Sequence, residues 1–299
     1  MTTNIPNLFV IGAMKCGTTT LHNLLAEHPD IFMSAEKEPA FFTIEHPTDQ
    51  QRYHYQSLFQ AADGERVLGE SSTQYSMLPT YPGCINRLAD ASPNAKLIYM
   101  MKDPIERTLS HYWHQYRSKK RHGGDRRPII EAVLADEHYH AVSDYARQLK
   151  PYLDRFGRNQ IKAVVLERFS QNPEEGYQDI LQFLGVDPDF TPERVGRRDH
   201  DGQRITARKR KWLTAIQRSS QWDAVRSFVP APIRRIGHRL SEYDRVDRRA
   251  FDDSAARKAL LPHALRWTND LEQLLGEDLG LWRRKWESLS VPVEKRGAK

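Results

Sequence analysis

The stretch Leu8-Phe-Val-Ile-Gly12-Ala-Met-Lys15-Cys16-Gly17-Thr18-Thr19-Thr20 constrains this chain more than any other. Leu8 to Gly12 is an apolar run of strand length ended by glycine. Thr18 to Glu27 places Leu21, Leu24 and Leu25 on one helical face, and His28-Pro29 stops it. A buried strand that enters a helix through a glycine-bracketed loop is the junction where α/β folds hold phosphates. Backbone N–H groups converge there on an anion, and glycine permits the tight turn.

The loop departs from the G-x-x-x-x-G-K-[ST] pattern of nucleotide triphosphatases. Gly12 and Gly17 have the right separation, but Thr18 stands at the lysine position and the lysine, Lys15, precedes Gly17 by two residues. Lys15 still supplies a point charge, and Thr18, Thr19 and Thr20 supply hydroxyls. The apolar run Lys96 to Met101 ends in Lys102 where a magnesium-binding carboxylate would be needed. The pattern therefore predicts a phosphate site that does not depend on a metal, and it disfavours a nucleotide kinase.

The rest of the chain fits the same architecture. Val67 to Glu70, Lys96 to Lys102 and Ile161 to Leu166 read as further strands, the second apolar throughout its interior as a doubly covered parallel strand should be. Asp103-Pro104 starts a helix, with Asp at the N-cap, Pro at the first helical position and Glu106 in the first turn. Pro173 to Leu184 and Leu260 to Leu275 are helical, the latter closed by Gly276. Strands alternating with helices predict an α/β fold: one domain over residues 1–299, with a P-loop-like central parallel sheet flanked by helices. From about residue 190 the pattern turns basic and mainly helical, and this portion is expected to pack on the same sheet. Ser118 to Arg127, with Gly123-Gly124, reads as an exposed polar loop.

Charge narrows the ligand without naming it. Lys and Arg total 45 against 39 Asp and Glu, a net +6. Arg194 to Arg249 alone holds 16 Lys/Arg against 6 Asp/Glu, and Arg117 to Arg121 forms a second basic knot. Such clusters attract anions: nucleic acid, a phosphorylated cofactor or an acidic glycan. A nucleic-acid-binding protein would explain the surplus but not the Lys15 loop, so no nucleic-acid partner is expected. Two cysteines, Cys16 and Cys84, allow no disulfide framework, and no metal-ligand spacing occurs. No apolar run is long enough for a transmembrane segment, and a cytoplasmic location is expected.

Four motifs in order along the chain carry a family resemblance. Lys15-Cys-Gly17-Thr18-Thr19 resembles the 5′-phosphosulfate loop of sulfotransferases dependent on 3′-phosphoadenosine 5′-phosphosulfate (PAPS). Glu36-Lys37-Glu38-Pro39-Ala40-Phe41-Phe42 is similar to a segment of the heparan-sulfate branch, and Gly69-Glu70-Ser71-Ser72-Thr73 resembles a strand end of bacterial members. Met101-Lys102-Asp103-Pro104 through Ser110-His111-Tyr112 resembles the 3′-phosphate motif. Leu271 to Trp282 is also similar to the helix and tryptophan that close such domains.

The resemblance implies roles. PAPS would be the donor, adenosine 3′,5′-bisphosphate (PAP) the product, and no metal would be needed. Lys15 would stabilise the leaving 5′-phosphate, with Cys16, Gly17, Thr18, Thr19 and Thr20 completing the loop. Lys102 and Ser110 would hold the 3′-phosphate, Lys102 standing where most members have arginine, and Arg204 would come from the late basic segment. Glu38 would be the base that deprotonates the acceptor, its pKa raised beside Phe41 and Phe42, with His111 as the alternative. Heparan-type relatives place lysine where this chain has Ser71. The acceptor would be a hydroxyl or amine of a carbohydrate, with a lipid, a peptide or another hydroxylated natural product as alternatives.

Overall fold

The computed structural model describes residues 5–117, 125, 127–193 and 251–290, and the backbone of 204–208 and 243–247. Its core is a parallel sheet of β1 (Leu8–Gly12), β2 (Ile31–Met33), β3 (Val67–Ser71), β4 (Lys96–Met101) and β5 (Ile161–Val165), in the order β2-β3-β1-β4-β5. Leu8 to Ile11 are fully buried, as is the interior of β4, because helices cover both faces of a parallel sheet. Leu8 lies opposite Gly69 on one side and Lys96 on the other, so β1 is central.

Strand order decides where a ligand can sit. From β1 the chain builds outward through β2 and back to β3, then crosses to the other side for β4 and β5. The crevice at the carboxyl ends of β1, β3 and β4 is thus a topological switch point, the usual ligand position in open α/β sheets. All four strands expected from the sequence are present. Leu166 belongs to the following helix rather than to β5, and β2 escapes detection because three residues are too few to show a period.

Helices connect these strands. They are α1 (Thr18–Leu25), α2 (Asp49–Ser57), α3 (Cys84–Ala91), α4 (Pro104–Arg117), α5 (Ile129–Ala135), α6 (Glu137–Ala141), α7 (Tyr145–Phe156), α8 (Leu166–Gln171) and α9 (Pro173–Leu184). After residue 250 come α10 (Ser254–Leu275) and α11 (Gly280–Ser290). Their ends follow sequence chemistry. Pro173 opens α9, left-handed Gly185 closes it at φ 74°, and Gly276 closes α10 at φ 73°. No helix among the described residues is long and apolar enough to cross a membrane.

Contacts divide the chain into two compact units. The first holds Met1–Tyr112, Arg127–His200 and Ser254–Lys299, which includes the sheet, α10 and α11. The second holds Trp113–Arg126 and Asp201–Asp253. Within it, β6 (Arg204–Arg208) and β7 (Tyr243–Asp247) pair antiparallel, where the sequence reading expected helix. Arg204 lies opposite Asp247 and Ile205 opposite Val246. Opposite charges and β-branched residues facing each other favour strands, but that pairing spans a gap no local pattern reports. Most of the basic segment and of the Ser118–Arg127 loop lies outside the described residues.

Candidate active site

The loop between β1 and α1 is shaped to receive an anion. Lys15 and Gly17 both adopt left-handed backbone, at φ 72° and 88°, which turns successive N–H groups inward. Gly17 is the N-cap of α1 and no side chain caps that helix, so the first-turn N–H groups face the loop mouth. A Cβ at 17 would also stand 3.0 Å from Leu166 Cδ1 at the start of α8, a tight contact. Gly12 is more closely confined, since a Cβ would lie 2.2 Å from Ser76 Oγ and 2.7 Å from Tyr99 Cε2.

Cys16 forms the floor of this loop. Its thiol is buried, 3.7 Å from the Tyr145 hydroxyl. Burial pushes its pKa up, while the positive charges of Lys102 and Arg107 pull it back down. A thiol held protonated is no nucleophile. Glu167 opposes these two cations and pushes the thiol pKa up. Thr18 is buried, whereas Lys15, Thr19 and Thr20 are half-buried.

The second half of the site begins where β4 ends. The Tyr145 hydroxyl donates to the Lys102 carbonyl at 2.7 Å and fixes the chain as it leaves the strand. Asp103 caps α4, accepting from the Ile105 and Glu106 amides at 2.9 and 3.3 Å. Its other oxygen accepts the Trp286 indole N–H at 3.1 Å. Burial, reinforced by nearby Glu106, raises the Asp103 pKa to about 6. Ser110, half-buried, lies two turns along α4. Arg107 is fully buried and donates to Ser143 Oγ at 2.6 Å and to the Tyr139 carbonyl at 2.7 Å. Burial lowers its pKa.

His111 is a core histidine. It is fully buried, its Nδ1 lies 3.4 Å from Arg107 Nη1, and its ring packs on His138 and Tyr139 at 4.9 and 4.8 Å. Because a guanidinium only donates, Nδ1 must accept, and a buried ring in that state is poorly placed to take a proton from an acceptor.

Glu38 and Glu70 divide the properties that the sequence reading assigned to Glu38. The Glu38 side chain is 31% exposed, pairs with Lys37 Nζ at 2.9 Å and accepts from Thr73 Oγ1 at 3.1 Å. Phe41 stacks on Tyr55, and Phe42 packs against Phe9, Tyr55 and Tyr75. The carboxylate these aromatic residues enclose is Glu70, fully buried at the end of β3. It accepts from Tyr55 at 2.8 Å, Tyr75 at 2.6 Å and Ser72 at 2.6 Å. Burial raises its pKa to about 7 against the pull of these hydroxyls. Sequence reasoning noted Glu70 as a carboxylate at a strand end but not this environment, which depends on a turn and a helix remote in the chain.

Two further positions complete the comparison with the sequence. Ser71 is buried, its hydroxyl 2.9 Å from His22 Nδ1, and burial followed by the Lys37 charge lowers the His22 pKa to about 4. Arg204 lies on β6 in the second unit, where its backbone alone is described.

Residues 6–203 match the family model for the sulfotransferase domain. The chain belongs to the sulfotransferase family. It is 28% identical to heparan sulfate glucosamine 3-O-sulfotransferase 3B1 of Mus musculus over 200 residues, 61% of this chain and 46% of that protein. It is 26% identical to carbohydrate sulfotransferase 15 of Mus musculus over 248 residues, 62% of this chain and 44% of that one. The membrane-associated sulfotransferase kil1 of Dictyostelium discoideum is 34% identical over 110 residues, 36% of this chain and 22% of kil1. The chain thus spans less than half the length of these curated relatives. The crystal structure of a sulfotransferase from Alicyclobacillus acidocaldarius superposes with a TM-score of 0.64 and 28% identity, covering 93% of this chain and 99% of that one.

PAPS is the family's sulfuryl donor, and the residues of this sulfotransferase-family chain fit a doubly phosphorylated nucleotide. The uncapped α1 N-terminus and the left-handed Lys15 and Gly17 suit one anionic end. Lys102 at the end of β4, with Ser110 along α4, suits a second.

Proposed function

We propose that this protein transfers a sulfuryl group from PAPS to a hydroxyl or amine of a carbohydrate. The observation that carries the reading is the glycine-turned, uncapped α1 N-terminus beside β4, in a chain of the sulfotransferase family. When bound, PAPS supplies the activated sulfuryl group. Lys15 and the loop amides, with Cys16 to Thr20, bind the 5′ phosphosulfate end and stabilise negative charge as the 5′-phosphate departs. Lys102 and Ser110 bind the 3′-phosphate. Glu38 accepts the acceptor's proton at its carboxylate, while Thr73 orients it and Lys37 offsets its charge. Little covalent work falls to the protein; position and charge do most of it.

The carbohydrate acceptor is supported by two of the relatives, which are heparan sulfate and carbohydrate sulfotransferases. A lipid, peptide or small natural product is the alternative acceptor. Calorimetry with PAP in the absence of magnesium, beside adenosine 5′-phosphate and magnesium-ATP, tests the donor assignment. A clear preference for PAP is expected. Absent PAP binding, or a preference for magnesium-ATP, would overturn it.

A further inference from the structure

The segment Glu38 to Phe42 is strained and is held from one direction. Glu38 and Ala40 are both left-handed, at φ 64° and 51°, a region that residues with a Cβ enter only when their surroundings compel it. Alternate amides of this segment reach toward one stretch of chain that begins at the last residue of β3. Glu38 N donates to the Ser71 carbonyl at 2.9 Å, Ala40 N to Ser72 Oγ at 3.0 Å, and Phe42 N to the Tyr75 hydroxyl at 3.5 Å.

Two of those three acceptors are themselves oriented by one group. The Ser72 and Tyr75 hydroxyls both donate to the Glu70 carboxylate, at 2.6 Å each, which leaves their oxygen lone pairs facing Ala40 and Phe42. Tyr55 of α2 donates to the same carboxylate at 2.8 Å and stacks on Phe41 at 4.3 Å. Glu70 is fully buried and lies outside the catalytic roles assigned above. Without an acceptor at its position, both hydroxyl protons would need new partners, and the segment would lose its aligned acceptors.

We infer that Glu70 is a positioning residue: through Ser72, Tyr75 and Tyr55 it holds Glu38–Phe42 in its strained conformation and so places the Glu38 carboxylate. The geometric part stands on hydrogen bonds alone; its consequence for turnover rests on the proposed function. Glu70 acts through other residues and touches no reacting atom.

Amide hydrogen exchange by NMR separates the two parts, measured on the wild type, Glu70→Gln and Ser72→Ala. Glutamine keeps the shape and one oxygen for the tyrosines but turns a donor toward Ser72; the serine change removes the Ala40 acceptor directly. The Ala40 amide is expected to exchange about tenfold faster in both variants, and Phe42 likewise in Glu70→Gln, while amides of β1 and β4 stay unchanged. PAP affinity by calorimetry is expected to stay within twofold. Transfer from PAPS to N-sulfated heparosan oligosaccharide is expected to lose kcat about tenfold, with the KM for PAPS kept. Unchanged exchange at Ala40 in Glu70→Gln, or acceleration spread evenly over the sheet, would overturn the inference. Wild type that binds no PAP overturns the functional reading instead and leaves the exchange result to decide the role of Glu70. A local exchange effect with unaltered kcat in an active enzyme overturns the catalytic consequence.

Discussion

Asp103 joins the two ends of the first unit: one carboxylate oxygen caps α4 while the other takes the indole N–H of Trp286 from α11, more than 180 residues later. Its own amide donates to Glu167 at 2.9 Å, and Glu167 pairs with Lys285 of the same α11. The residue that follows Lys102 is therefore fixed by the closing helix, and the closing helix is fixed by the start of α4. Trp286→Phe should remove the donor and leave a buried carboxylate oxygen unsatisfied. A loss of about 1–3 kcal/mol in denaturant unfolding is expected, with weaker PAP binding in calorimetry. Unchanged stability would mean that the indole contributes packing only.

Stability should fall as pH rises through neutrality. Glu70 is raised to about 7 and Asp103 to about 6, both by burial. A carboxyl with a raised native pKa binds protons more tightly when folded than when unfolded, so its contribution is complete below the unfolded value. It is lost as pH climbs through the folded one. For Glu70 the full swing is on the order of 3 kcal/mol. Because neutral His22, lowered to about 4, works in the opposite sense below its unfolded value, the decline is read from pH 6.5 to 8, where the thermal midpoint should fall and Glu70→Gln should flatten that fall. An equal slope in both proteins would remove Glu70 from the effect.

Lys15→Ala should reduce transfer by about 100- to 1,000-fold, the usual effect of deleting a group that stabilises developing charge. The comparison to make is kcat with PAPS against PAP affinity. A deficit mostly in kcat places Lys15 at the leaving phosphate, whereas an equal loss in binding makes it an anchor.

Glu38→Gln should lower kcat about 100-fold or more with nucleotide affinity kept, because general-base assistance is lost while the nucleotide contacts are made elsewhere. Parallel loss of PAP affinity in calorimetry would make Glu38 structural, through its contacts with Lys37 and Thr73.

Ser110→Ala should weaken PAP about tenfold and leave adenosine 5′-phosphate unaffected, since only the former carries a 3′-phosphate. Calorimetry with both nucleotides reads this directly. Equal weakening of the two would place Ser110 away from the 3′-phosphate.

Much of this architecture is written in short-range pattern. The apolar run of β1, the glycines of the loop, the leucines of α1 and the Asp-Pro start of α4 each act within a few residues, and the structure repeats them. The strand–loop–helix junction that carries the lysine and hydroxyls of the proposed donor site was legible for the same reason. Strand β2 and the β6/β7 pair were not, since three residues carry no period and a ladder between residues 204 and 247 has no local sign.

The two carboxylates show where local pattern stops. Phe41 and Phe42 stand next to Glu38 in the chain, so sequence proximity suggested that they desolvate it. Folding instead turns those rings onto Tyr55 and Tyr75, and the buried carboxyl is Glu70. His111 likewise follows Ser110 in sequence, yet helical geometry puts it on the inner face against Arg107. The sequence alone determined the strand–loop–helix junction and the residues that occupy it, because those depend on neighbours along the chain. Only the tertiary structure decided which carboxylate is dry and which histidine is sealed, because burial is a property of what packs from elsewhere.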